Sequence, residues 1–359
     1  METATSLFDL QPAQLEALLQ ELGQPAYRAG QVLRWAYQGA TSYDAMSDLP
    51  KALREQLAGC LPLTTLTPSR RTQSNDGRTQ KVLFALPDDK LVEAVWMRHR
   101  AGRASWRTTI CVSSQAGCAY GCQFCATGQQ GYGRNLIPGE IVQQIVFFLR
   151  EESVPSPERI TNVVFMGMGE PFANYEHVRR AVAALNAPWG LGLGARHITV
   201  STVGLVPEIR RFSQEPWQAG LAISLHAPND ELRSWVLPVN RKYPLPQLMQ
   251  ACREYLVKTH RRITFEYVLL GNVNDAREHA AELGRLLSGL LCHVNLIPVN
   301  PTAATQFKRP TPERIRAFVE ELQRARVPVT LRDTQGVDIQ AGCGQLRADA
   351  ARDAVPMGV

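Results

Sequence analysis

The sequence predicts an α/β fold: a partial (β/α)6 barrel with a small helical unit before it and a reactive-cysteine segment after it. Three observations carry this. From about residue 105 onward, strand-like runs alternate with helix-like runs six times. Several strand runs are almost wholly apolar, as parallel strands covered on both faces are. The loops that follow them gather thiols, glycines, a carboxylate, hydroxyls, a histidine and an amide. In strand-helix folds chemistry collects at those C-terminal strand ends. With 45% hydrophobic and 20% charged residues among 359, the composition is that of a globular protein and excludes a disordered chain. No stretch of about 18 apolar residues is present, so no membrane partner is expected. The start, METATSLFDL, lacks the basic and apolar regions of a secretory signal, and the expected location is cytoplasmic.

Residues 1–60 read as a helical accessory unit. Asp9 is expected to cap a first helix carrying Leu15, Leu18, Leu19 and Leu22 and stopped by Gly23. A second helix holds Val32, Leu33 and Trp35 and ends near Gly39; a third covers about Pro50 to Leu57. Residues 61–104 read as a β-hairpin linker, two strands around the turn signal Pro87-Asp88-Asp89-Lys90. The barrel spans 105–335. Its strands fall near residues 108–114, 160–168, 197–202, 220–226, 263–270 and 293–299. Each is followed by a helical stretch, near 138–150, 174–185, 205–212, 247–257, 275–287 and 311–323. Residues 336–359 form the C-terminal segment.

The net charge is +6, weak evidence for a polyanionic partner by itself. Its distribution says more. Between Glu93 and Glu140 no acidic residue occurs, while Arg98, Arg100, Arg103, Arg107 and Arg134 do. Such a field of one sign can steer a nucleic acid, although a solvated face is the commoner meaning of a charge run.

Eight cysteines in a cytoplasmic chain should be thiols. Cys60, Cys252 and Cys292 sit in apolar or helical surroundings and are expected to pack as small hydrophobes. Cys118, Cys122 and Cys125 form C-x3-C-x2-C on the loop after the first barrel strand. Three thiolates so close can hold three corners of an iron–sulfur cubane and leave its fourth iron for a substrate. A structural zinc site would want a fourth ligand, usually from a second knuckle, which this chain lacks; Cys111 is the nearest spare thiol.

That spacing, with Phe124 before the last cysteine, resembles the cluster loop of radical S-adenosylmethionine (SAM) enzymes. Gly167-Met-Gly-Glu-Pro171 resembles their glycine-rich SAM turn. The resemblance narrows to RlmN-type adenine-C2 RNA methyltransferases. It is carried by Cys111-Val-Ser-Ser-Gln-Ala-Gly-Cys118, Phe165-Met-Gly-Met-Gly-Glu-Pro171, Ala222-Ile-Ser-Leu-His-Ala-Pro-Asn-Asp230, Asn295-Leu-Ile-Pro298 and Asp338-Ile-Gln-Ala-Gly-Cys-Gly-Gln-Leu346. It runs from Arg28-Ala-Gly-Gln-Val-Leu-Arg-Trp35 through nearly the whole chain.

The resemblance implies one 4Fe-4S cluster on Cys118, Cys122 and Cys125, and two SAM molecules per turnover. It implies SAM contacts from Gly169, Glu170, Ser201, Ser224, Leu225, His226 and Asn300. Cys343 matches the cysteine that becomes S-methylated, Cys111 its disulfide-forming partner, and Glu93 the proton acceptor. Gly342, where alanine is usual, and Val203, where a polar residue is usual, depart from the pattern without removing a reacting group. The implied partners are large-subunit ribosomal RNA, free or pre-ribosomal, and tRNA beside the anticodon. A low-potential donor such as flavodoxin or ferredoxin completes the set, and a monomer is expected. The helical unit resembles that family's RNA-binding accessory domain.

Read without the family, His226 would be a satisfied core histidine, Glu93 a solvent-facing charge and Cys111 a core thiol. Two whole-chain alternatives also stand: an adenine-C8 methyltransferase of the antibiotic-resistance type, which shares the reacting cysteines, and a zinc-stabilised RNA-binding protein without catalysis.

Overall fold

A computed structural model describes residues 6–100, 106–150, 160–300, 306–332 and 335–347. Arg103 and the tail beyond residue 347 lie outside the described residues. Three helices open the chain: α1 Pro12–Glu21, α2 Arg28–Tyr37 and α3 Lys51–Cys60. They are followed by β1 Thr67–Gln73, β2 Thr79–Ala85, β3 Leu91–Arg100 and β4 Trp106–Cys111. After β4 come the short β5 Gln115–Gly117, the one-turn α4 Ala126–Gln130, β6 Tyr132–Asn135 and α5 Pro138–Arg150. The alternation then runs β7 Asn162–Phe165, α6 Tyr175–Asn186, β8 Ile198–Thr202, α7 Val206–Phe212, β9 Gly220–Ser224, α8 Asp230–Val236 and α9 Leu245–Thr259. It closes with β10 Ile263–Leu269, α10 Arg277–Leu286, β11 Cys292–Pro298, α11 Pro312–Arg324 and β12 Val329–Leu331.

The six expected barrel strands lie side by side in the order β4, β7, β8, β9, β10, β11, and every pair among them is parallel. Helices separate them in the chain, as parallel pairing requires. The sheet is larger than six strands. A short seventh parallel strand, β12, adds at one edge. At the other, β1, β2 and β3 add antiparallel, so ten strands form one open sheet. Residues 67–100 therefore hold three strands of the barrel's own sheet, where a two-stranded hairpin is expected over 61–104. The reason is β3, whose second half, Val95–Arg100, pairs with β4 and sets Val95 opposite Cys111.

Asp9 does not cap α1. That helix starts at Gln11, whose N–H donates to Gln14 Oε1 at 2.8 Å. Asp9 is buried, takes the Ser6 hydroxyl at 2.7 Å, and accepts from Gly139 N at 2.7 Å, the first turn of α5. It thus caps a barrel helix 130 residues away in sequence. A Cβ at Gly139 would meet Asp9 Oδ2 at 2.4 Å, so the cap needs the glycine. Within the helical unit, Asp48 ties the 28–35 motif, accepting from Arg34, Gln31 and Trp35 side chains. Cys252 and Cys292 are buried as expected, but Cys60 is exposed at the end of α3.

Candidate active site

The three cysteines of the C-x3-C-x2-C loop hang from the C-terminal end of β4. Cys118 N donates to Gly131 O at 2.7 Å, Cys125 N to Cys122 O at 3.1 Å, and Gln123 N to Val236 O at 3.0 Å. These bonds turn all three thiols into one cavity of about 130 Å³. Burial pushes the Cys118 thiol up to about 12. Cys122 is also pushed well above an ordinary thiol, by burial and then by Cys125 and Cys118. Thiols so placed shed their protons only to a strong positive centre. Among the described residues no three His, Cys, Asp or Glu side chains close on a point as ligands of a single ion do. Three thiols around a cavity suit a multi-iron cluster better than zinc.

The next loop forms the adjoining wall. Gly169 adopts φ +97°, and a Cβ there would strike the Gln115 side chain at 2.5 Å, so only glycine lets this turn reach the cysteine loop. Glu170 N donates to Gln115 Oε1 at 2.8 Å. The buried Glu170 carboxylate accepts from Phe172 N at 3.0 Å and Val203 N at 2.8 Å, while burial raises it to about 7. It holds the turn's shape as well as lining the cavity.

Ser201 and Ser224, at the ends of β8 and β9, face each other with hydroxyls 3.5 Å apart and line the same space. His226 has φ +58°. Its Nδ1 accepts from Val268 N at 3.0 Å, its carbonyl accepts from Asn274 Nδ2, and its ring meets Phe124 edge-on at 4.7 Å. Burial lowers it to about 3, so the ring is neutral with its proton on Nε2. It is both a satisfied core histidine and part of the cavity wall. Leu225 and Asn300 do not line the cavity. Leu225 N donates to Glu266 O. Asn300 is buried; its Oδ1 takes Arg309 at 3.3 Å and its Nδ2 has no partner among the described residues, a donor that a ligand would satisfy.

Cys343 reaches the cavity on a strap that crosses the barrel mouth. Thr127 Oγ1 donates to Leu346 O at 2.6 Å and Ala126 N to Gly344 O at 2.8 Å, which pins the strap to α4. Lys81 Nζ donates to Gln340 O at 3.3 Å and Asn75 N to Asp338 Oδ2 at 2.8 Å, which pins its other end near β2. Cys343 is exposed at the cavity mouth, and desolvation by the surrounding protein followed by the Glu266 charge pushes its thiol up to about 11. Cys111 is buried, and burial followed by the nearby Cys343 drives it far above an ordinary thiol.

Glu93 is not a solvent-facing charge. It projects from the same sheet face as Cys111, two residues from Val95. It is buried, ion-paired to Lys81 Nζ at 2.8 Å, and accepts Arg347 N at 2.9 Å. It lies under the strap rather than in the cavity wall.

Three residues escaped the sequence reading. Glu266 lines the cavity, buried in β10, with Asn295 Nδ2 donating to its Oε1 at 2.8 Å. A lone acid in an apolar strand was the available signal. Arg233 is fully buried and donates to Val203 O, Ser224 O, Leu225 O and Asn240 Oδ1 at 2.7–3.2 Å, stitching the ends of β8 and β9. Lys81 joins Glu93 to the strap. The basic stretch is divided: Arg134 is engaged by Asp88 and Glu140 at 2.7–2.9 Å, while Arg98, Arg100 and Arg107 lie at the far end of β3 and β4.

Known proteins share this arrangement. Residues 112–284 match the model of the radical SAM superfamily, and residues 5–62 that of the ribosomal RNA large subunit methyltransferase N-terminal domain. A probable dual-specificity RNA methyltransferase RlmN of Heliobacterium modesticaldum is 46% identical over 97% of this chain and 91% of its own length. The protein of the same description from Symbiobacterium thermophilum is 48% identical over 93% and 89%. The crystal structure of a radical SAM methyltransferase from Sphaerobacter thermophilus is 53% identical, covers 96% of this chain and all of the other, and superposes with a TM-score of 0.93. That family carries a 4Fe-4S cluster and uses SAM. Nearly full-length identity at this level, on a cavity that collects the cysteine loop, the glycine turn and the Cys343 strap, places the chain in the RlmN family of radical SAM RNA methyltransferases.

Proposed function

We propose that this chain methylates C2 of an unpaired adenosine in large-subunit ribosomal RNA, and of an adenosine beside the tRNA anticodon, carrying the methyl group on Cys343. The supporting observation is that Cys343 opens on the cavity that the three loop thiols share, close enough to Cys111 for its charge to raise the Cys111 thiol.

Adenine C2 is electron-poor and has no lone pair with which to displace a methyl group from a sulfonium, so a protein carrier splits one hard step into easier ones. A 4Fe-4S cluster on Cys118, Cys122 and Cys125, with SAM bound, supplies the methyl group and the radical chemistry. The Gly169–Glu170 turn, Ser201, Ser224 and His226 line the space that would hold SAM, the unpartnered Asn300 Nδ2 would donate to it, and Leu225 would act only through the backbone it shares with Ser224 and His226. Cys343 gives up its thiol proton and takes the methyl as a thioether. Once that carbon is joined to C2, Glu93 takes the C2 proton; Lys81 and the Arg347 N–H hold its two oxygens in place. Cys111, as thiolate, would then attack the Cys343 sulfur. The bond from that sulfur to the adenine-borne carbon breaks, and the carbon takes a proton to become the methyl group. The two cysteines are left as a disulfide, which external thiols reduce. A base stacked in a duplex hides C2, so the target is an unpaired or splayed base. The reductant is a flavodoxin or ferredoxin and the working form a cytoplasmic monomer; no helix among the described residues is long and apolar enough to cross a membrane.

Mass spectrometry of nucleosides from ribosomal RNA treated with the reconstituted enzyme tests this reading. It predicts 2-methyladenosine; 8-methyladenosine or an unchanged digest would contradict it.

A further inference from the structure

Where the helical unit meets the barrel, one guanidinium is enclosed without a bonding partner. Arg150 closes α5, and the Gly39 turn that follows α2 lies against its stem: a Cβ on Gly39 would meet Arg150 Cγ at 3.4 Å. Arg150 Nε and Nη2 are buried, and among the described residues no acceptor meets either. Burial holds its pKa below the usual arginine value, and no carboxylate offsets that effect. The helix macrodipole favours a cation at the end of α5, but it satisfies neither N–H. The guanidinium borders a cavity of about 290 Å³. Thr41 enters the lining from the helical unit and Thr64 from the link to β1. Phe84 and Phe147 form an apolar wall, their rings edge to face at 5.0 Å. Gln143 fixes the link, its Oε1 taking Thr65 N at 2.6 Å and Leu66 N at 3.1 Å. Among the described residues no acidic side chain lines the space.

Buried donors left without acceptors oppose folding, the more so when they carry charge. A cation kept in that state is accounted for when a ligand supplies the acceptors. The ligand must be an anion, because a guanidinium offers only donors. Its Nε–Nη2 edge takes two oxygens of a phosphate at once, and hydroxyls suit the oxygens that remain. α5 leaves the β5–β6 hairpin, which holds Cys118 through Gly131 O, and runs for 13 residues, about 20 Å at ~1.5 Å per residue. The cavity at its far end therefore stands well away from the reacting thiols and cannot hold the base being methylated.

We propose that this cavity seats one backbone phosphate of the substrate RNA, bound by Arg150 Nε and Nη2 and by the Thr41 and Thr64 hydroxyls. A phosphate there touches the helical unit and the barrel together, so it fixes the RNA on both. That the anion belongs to RNA rests on the functional reading above; a free inorganic anion is the competing outcome.

The test uses reconstituted holoenzyme, a ribosomal RNA fragment bearing the target adenosine, and inorganic phosphate alone. Arg150→Gln keeps most of the stem and removes the charge. Its melting temperature in chloride should match or exceed that of wild type, because no protein bond is lost. Its affinity for the RNA fragment should fall about tenfold, with a salt slope smaller by about one. Arg150→Lys, which keeps the charge but not the fork, should recover the slope and only part of the affinity. A Thr41→Val, Thr64→Val double variant should weaken RNA binding about threefold and leave the slope unchanged. Inorganic phosphate, against chloride at equal ionic strength, should raise the wild-type melting temperature about 2 °C more than that of Arg150→Gln. Unchanged RNA affinity and slope in Arg150→Gln would overturn the proposal. A phosphate response without any effect on RNA would also overturn it and leave a site for a small anion only. A clear fall in the melting temperature of Arg150→Gln in chloride would show that the guanidinium already has protein partners, and would overturn it too. Methyladenosine enters none of these readings, so a missing product counts against the functional reading alone.

Discussion

Arg233 shows how a single buried cation can organise a site it does not line. Its guanidinium satisfies three backbone carbonyls at the ends of β8 and β9 and the Asn240 side chain. Arg233→Leu strands those acceptors away from water, and a loss of about 3 kcal/mol in urea unfolding is expected. Little or no change in the midpoint would mean the loop ends hold without it. His226 gives a pH signature. Burial lowers it from 6.5 to about 3, so the unfolded chain binds a proton in that window that the folded chain refuses. Stability conferred by this residue is therefore full above pH 6.5 and is lost as pH falls through the window. The stability of His226→Gln should depend less steeply on pH between 4.5 and 6.5 than that of wild type, by up to about 1.4 kcal/mol per pH unit. Parallel curves would show that the ring titrates normally. At this scale the gathering of Cys118, Cys122 and Cys125 around one cavity was legible, because their close spacing on one loop leaves them little room to part. Glu266 and Lys81 were not, because one acid in an apolar strand and one lysine in a hairpin acquire meaning only from partners distant in the chain.

Among elements, the six barrel strands were readable as apolar runs because both their faces are covered. β1 and β12 were not. The first, Thr67–Gln73, has no buried residue and carries Arg70 and Arg71, and the second is three residues long at a sheet edge. Asp9 was assigned to the nearest helix because sequence shows neighbours, whereas its partner is Gly139. On the proposed function the strap carrying Cys343 is the element that matters most, and Lys81 ties it down at Gln340. Lys81→Met frees Gln340 O and leaves the buried Glu93 carboxylate without its cation. S-methylation of Cys343, followed by intact mass, should slow at least tenfold while iron content stays near wild type. Methylation at the wild-type rate would show that the strap is held by its remaining bonds.

For the molecule as a whole, one rim of an open sheet holds the chemistry, and the helical unit is joined to the barrel through Asp9. Anaerobically purified protein should contain four irons per chain, and SAM should perturb the cluster spectrum. Four irons retained in a Cys118→Ala, Cys122→Ala double variant would contradict the ligand assignment. The central claim is that Cys343 carries the methyl group and Cys111 releases the product. Denaturing gels of Cys111→Ala, produced with RNA present, test it most directly. Without the resolving thiol the thioether link to RNA has no exit, so a protein–RNA species resistant to denaturant and sensitive to ribonuclease should accumulate. Cys343→Ala should form none. Normal turnover by Cys111→Ala, with no retained RNA, would contradict the account and reduce Cys111 to a packed core thiol.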